Sequence, residues 1–154
     1  MLYPDVIETI GLERFGDFCK EIEVYSVLAM DPEIMRYLNG RGIATATFIG
    51  YDTSEKAIEL AKANDNQIVF LSNKNGRTEP RPGLTTWKER VAYIRKAGVK
   101  APVFGVTGIS TAEELNEVKQ AGADGAYIGT IMMKLWDREP ELWKTLDAFQ
   151  QIAE

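Results

Sequence analysis

Residues 102–134 read PVFGVTGISTAEELNEVKQAGADGAYIGTIMMK. Two short runs of strand-forming residues, 102–106 and 126–128, each lead into glycine, and a strongly signalled helix lies between them. Ser110-x-x-Glu113 and Thr111-x-x-Glu114 both fit a capping box at the start of that helix. Leu115 and Val118 share one of its faces, and Gly122 stops it. After Gly129 and Thr130, the residues Ile131, Met132, Met133 and Lys134 open another helix. The unit is therefore β-α-β, and both strands deliver a glycine to the same sheet edge.

Such an edge suits an anion. The free N–H groups of a first helical turn and the helix dipole favour negative charge, and glycine lets a phosphate approach the backbone. In (β/α)8 barrels a phosphate commonly sits at the loops after the seventh and eighth strands. Gly108, Gly129 and Thr130 are the residues expected to hold it here. One glycine alone fits a tight turn equally well; the pair together with Thr130 favours the anion.

Working outward, the chain alternates strand-like and helix-like runs. Strands are expected near Leu2 and over 24–30, 43–49, 67–71, 102–106 and 126–128, each followed by a helix, which makes six βα units. The first helix should turn Leu12, Phe15, Phe18 or Cys19, and Ile22 inward, and a later one Trp87, Val91 and Ile94. Asp52-Thr53-Ser54-Glu55 should cap the helix that carries Ile58, and Pro140 opens a closing helix with Leu142, Leu146 and Phe149 on one face. A long polar loop, 72–83, is of the kind that closes over ligands. The expected fold is α/β, a parallel (βα) repeat forming an incomplete TIM-barrel-like domain over 1–154. A flavodoxin-like open sheet is the alternative.

Composition narrows the chemistry. The chain has 154 residues, 45% of them hydrophobic, enough for one sizeable core. A formal charge of −5, with the basic residues scattered, gives no support for nucleic acid or for a basic membrane patch, so the expected partner is a small molecule. The lone Cys19 excludes an internal disulfide and reads as a buried small hydrophobe. With no histidine, Ser-His-Asp and Cys-His nucleophiles, imidazole acid-base catalysis and most zinc sites fall away; no metal is expected. No apolar run reaches 18 residues and no basic leader precedes one, so a cytoplasmic location is expected.

The stretch GISTAEELNEVKQAGADGAYIGTIMMK, followed by an acidic-Pro break and an amphipathic helix, resembles the last two βα units of the tryptophan synthase alpha subunit family. Upstream, Leu2-Tyr3-Pro4-Asp5 is similar to the end of the family's third strand, Ser26-Val27-Leu28-Ala29-Met30-Asp31 to its fourth, and 67–72 to its sixth. The resemblance implies a lyase that cleaves indole-3-glycerol phosphate by a retro-aldol step to indole and glyceraldehyde 3-phosphate, without cofactor, in tryptophan biosynthesis. It also implies a beta subunit that receives the indole. Gly108, Gly129 and Thr130 would take the phosphate, and Tyr3 and Leu28 would lie near the indole.

Two departures stand against a full carry-over. The family's acid-base glutamate and its aspartate partner belong to the second strand and the loop after it, neither of which is matched here. The loop glycine the family uses on phosphate falls at Glu79. Asp5 and Asp31 are the weak catalytic candidates, at the carboxyl ends of adjacent strands, but the stronger reading makes Asp31 the cap of the helix that Pro32 opens and Asp5 a solvated carboxylate. Three readings stay open: such a lyase, inactive alone; a phosphate-binding or subunit-interaction protein without lyase activity; and another phosphate-binding barrel enzyme. A six-strand arc has two unblocked edges, so the chain is expected to dimerise, to pair with a chain supplying strands, or to close its sheet.

Overall fold

The computed structural model describes residues 4–29, 31–63, 67–73 and 78–154. Eight helices and five strands are found among them: α1 Pro4–Ile10, α2 Leu12–Glu21, β1 Ser26–Val27, α3 Pro32–Gly40, β2 Ala44–Ile49, α4 Glu55–Lys62, β3 Gln67–Ser72, α5 Trp87–Lys96, β4 Val103–Val106, α6 Ala112–Gln120, β5 Gly125–Tyr127, α7 Thr130–Lys134 and α8 Glu139–Ala153. Every strand pairing is parallel, and the spatial order β1-β2-β3-β4-β5 follows the chain. An open doubly wound sheet reverses its order at a switch point; this one does not. It is a curled, incomplete α/β barrel.

Five of the six expected strands are found among the described residues. Leu2 and Tyr3 lie outside the described residues, and Pro4 and Asp5 open α1 rather than ending a strand. Proline's fixed φ and missing N–H suit the first turn of a helix. The run expected over 24–30 keeps only Ser26 and Val27 as strand, and Met30 lies outside the described residues.

The core lies between the sheet and the helices that cover it. On the helix side, Ile49 of β2, Val69 and Leu71 of β3 and Val103 of β4 are fully buried against Ile58, Val91, Ile94 and Val118. Each such side chain removed from water contributes about 1.5–3 kcal/mol. Gly105 of β4 is required by that packing, since a Cβ there would stand 2.7 Å from Val118 Cγ1. A smaller cluster joins Cys19, Val27, Met35, Leu38 and Ile43.

Two helix details differ from expectation, the facing of Ile22 and the start of α4. Ile22 is 51% exposed; of the pair Phe18 or Cys19 it is Cys19 that turns inward, with Phe15 half-buried beside it. At that face Gly16 lets α2 approach α3, with Tyr37 Cε1 only 3.0 Å from where a Cβ would be. Ser54 starts α4 without a side-chain cap, whereas of the two possible boxes on α6 it is Thr111–Glu114 that forms. No described helix is long and apolar enough to cross a membrane.

Candidate functional site

Parallel strands in sequence order bring all their carboxyl ends to one edge, and there the residues after β1, β4 and β5 meet. Leu28, Gly108, Gly129 and Thr130 line a single cavity of about 260 Å3, together with Phe48, Phe70, Val106, Thr107, Ile109 and Tyr127. Residues more than 100 positions apart are thereby joined. The polar rim comes from the two glycine turns and the apolar floor from the inner face of the sheet.

That floor follows from register. Phe48, Phe70 and Phe104 are direct neighbours across β2, β3 and β4, and Val106 pairs with Tyr127. Side chains alternate along a strand, so these rings share the face away from the helices. Phe104 also lies over Gly125, where a Cβ would meet Phe104 Cε1 at 2.6 Å. Tyr127 is 67% exposed, with its ring 5.8 Å from that of Phe70.

The two glycines differ in physical role. Gly108 has φ +75° and follows Thr107 at φ +60°, so two successive residues occupy the left-handed region. For a β-branched threonine that conformation is strained, and such strain persists only where the surroundings hold it. Here they do. Thr107 Oγ1 lies 2.8 Å from Ser72 Oγ and accepts the Asn73 N–H at 3.2 Å. Ser72 Oγ is also 3.1 Å from the Asn73 carbonyl oxygen. All three contacts are satisfied when Thr107 donates to Ser72 and Ser72 donates to that carbonyl. Gly129, by contrast, has φ −127°, open to any residue, and among the described atoms nothing beyond its chain neighbours lies within 4 Å of its Cβ position. Neither backbone strain nor crowding by the protein requires a glycine there.

The remaining expected residues are dispersed. Asp31 caps α3, its Oδ1 accepting the N–H groups of Glu33 and Ile34 at 2.9 and 3.0 Å. Asp5 is exposed in the first turn of α1, its backbone carbonyl accepting from Thr9 Oγ1. Tyr3 lies outside the described residues. Glu79 is exposed in the loop after β3. Among the described residues no group of three His, Cys, Asp or Glu is arranged to hold a metal ion.

Arg90 is the residue sequence reading passed over. It sits on the buried face of α5 with Trp87, Val91 and Ile94 and is 1% exposed. Its Nη1 donates to the Ser72 carbonyl, its Nη2 to the Gly50 carbonyl at 2.6 Å and its Nε to Thr53 Oγ1 at 2.9 Å. The guanidinium also lies 5.1 Å from the centre of the Tyr51 ring and 5.9 Å from that of Trp87. Burial lowers its pKa to about 10, against the opposing fields of Tyr51 and Asp52, so it is still a cation at neutral pH. The only signal in the sequence was an arginine at a core position of an amphipathic helix.

No model of a known protein family matches the chain. The tryptophan synthase alpha chain of Francisella tularensis subsp. holarctica is 27% identical over 142 residues, 88% of this chain and 52% of the relative. That of Methanosarcina barkeri is 22% identical over 155 residues, 96% of this chain and 58% of the relative. Among solved structures, the tryptophan synthase alpha subunit from Campylobacter jejuni superposes with a TM-score of 0.73 at 19% identity, covering 96% of this chain and 62% of that one. The tryptophan synthase α2β2 complex from Pyrococcus furiosus gives a TM-score of 0.73 at 17% identity, covering 97% and 64%. The chain is thus related to tryptophan synthase alpha chains along nearly all of its own length. It spans about half the length of the curated relatives it matches.

Proposed function

We propose, from this relationship, that the chain is a partial barrel of the tryptophan synthase alpha type whose carboxyl-edge cavity binds an aromatic phosphate ester, with indole-3-glycerol phosphate as the ligand. The observation that carries the reading is the meeting of Gly108, Gly129 and Thr130 with the rings of Phe48, Phe70 and Tyr127 in one cavity. A phosphate would lie against the backbone at the two glycine turns, where the open space at Gly129 leaves room for its oxygens. A planar apolar group would lie on the aromatic floor beside Leu28. A retro-aldol cleavage needs one group to protonate the ring carbon and another to take protons from the ring nitrogen and the glycerol hydroxyl. Asp31 is engaged as a helix cap and Asp5 lies on α1, so we assign neither the acid nor the base to these 154 residues.

Turnover would therefore need elements beyond these 154 residues, whereas binding would not. Calorimetric titration with indole-3-glycerol phosphate, paired with an assay for released indole, tests both halves. Binding without release is expected, and no heat on titration would sink the reading.

A second reading, a subunit-interaction protein, is favoured by a specific observation. Tyr127, Met133, Trp136 and Trp143, on or just beyond the β5 edge, are 67%, 79%, 74% and 56% exposed. Large exposed apolar groups of this kind mark contact surfaces. A beta-like subunit, a chain supplying further strands or a second copy of this chain would each cover them. Under either reading the phosphate site is retained.

A further inference from the structure

The buried cation beside the site is not explained by core packing alone. A guanidinium taken out of water costs several kcal/mol unless it is well paired, and buried arginines commonly meet a carboxylate. Among the described residues Arg90 meets none by hydrogen bond: its acceptors there are two backbone carbonyls and one hydroxyl. Those two carbonyls belong to Gly50, just past β2, and to Ser72, the last residue of β3. The charge is thus spent on holding two neighbouring strand ends, both at the edge that carries the cavity.

Resting on the phosphate reading above, we infer that Arg90 is a positioning residue for the anion-binding turn at Thr107 and Gly108. The path is short and continuous. Arg90 Nη1 fixes the Ser72 carbonyl, the Ser72 hydroxyl meets the Thr107 hydroxyl, and the Asn73 N–H closes on the same Thr107 oxygen. Thr107 is the strained residue, and Gly108, next to it, lines the cavity. Without the clamp, the end of β3 loses its fixed donor and Thr107 loses the partners that hold its left-handed conformation. The turn then relaxes toward commoner backbone angles and its amides no longer converge on one anion. Arg90 itself is buried beneath the edge and is not a cavity-lining residue.

The test uses the full chain and inorganic phosphate as the probe. Arg90→Met keeps the apolar stem and removes the charge and the donors; Ser72→Ala breaks the path one step later; Ile94→Val loosens the same helix without touching the clamp. Arg90→Met and Ser72→Ala are each expected to raise the phosphate Kd about tenfold, the double variant to lose no more than either alone, and Ile94→Val to stay within about twofold of wild type. Ser72→Thr, which keeps the hydroxyl, should restore binding. Amide exchange at Asn73 should quicken in Arg90→Met before any ligand is added. Should Arg90→Met not fold, Ser72→Ala and Ser72→Thr decide the matter. A folded Arg90→Met that binds like wild type, or losses that add in the double variant, overturn the inference alone. A wild type that takes no phosphate overturns the functional reading and the anion role with it, and unchanged exchange at Asn73 then removes the positioning role too.

Discussion

The rings of Phe70 and Tyr127 lie 5.8 Å apart at an interplanar angle of 42°, although β4 runs between their strands. Contact across an intervening strand is possible because the sheet curls and both rings stand on its inner face. In this way the curl of a partial barrel becomes an aromatic floor.

Tyr127→Ala therefore separates ligand from fold. An aromatic pair of this kind contributes about 0.5–1.5 kcal/mol, and Tyr127 is itself mostly exposed, so urea unfolding should shift only slightly. Calorimetry should show a clear loss of affinity for indole-3-glycerol phosphate and none for inorganic phosphate. Equal losses for both would mean that the floor does not contact the aromatic group.

Gly105→Ala and Gly129→Ala should behave as opposites. The first drives a methyl to 2.7 Å from Val118 Cγ1, with Trp87 behind it at 3.4 Å, and overpacking of this kind costs about 1–3 kcal/mol. The second enters open space at an ordinary φ and should leave stability within about 0.5 kcal/mol of wild type. Phosphate affinity should fall for Gly129→Ala. Chemical denaturation and titration of the two variants side by side check both halves.

Asp124 should prove a stability residue. Its Oδ2 accepts the Val103 N–H at 2.7 Å and pairs with Arg95, which also donates to the carbonyls of Val99 and Ala101. Asp124→Ala leaves the first amide of β4 without its acceptor, at a cost of about 1–3 kcal/mol. A urea midpoint equal to wild type would contradict this.

Acid should weaken the start of α5 in a defined window. The N–H groups of Thr86 and Thr85 hold the Glu89 carboxyl below its ordinary value of 4.5. Because the folded pKa is the lower one, the stabilisation is complete above about 4.5 and is lost as the pH falls through the folded value. Glu89→Gln should flatten that part of a stability-versus-pH curve and leave the curve near neutrality parallel to wild type.

Self-association is expected from the β5 side, where among the described residues β5 pairs with β4 alone and Tyr127, Met133 and Trp136 are exposed. Light scattering should give a mass that rises with concentration, and Tyr127→Lys should lower it by placing a charge on the edge strand. A concentration-independent monomer would leave this face for a different partner.

The sequence by itself determined the parallel βα alternation, the Thr111 capping box and the two glycine turns, because each depends on residues close together in the chain. It determined the site only as two turns expected to face one edge. Tertiary structure decided the rest. It turned Ile22 outward and began the described chain with helix where a strand end was expected. It also set Phe48, Phe70 and Tyr127 around one cavity. Arg90 is the clearest case: by pattern it is a charge spoiling an apolar face, and only the arrival of the Gly50 and Ser72 carbonyls from two different strands gives that charge its partners. Local signals specify elements because backbone propensity and capping act within a few residues. Partners for a buried cation, and a floor built from three strands, exist only once register and curl have brought distant residues together.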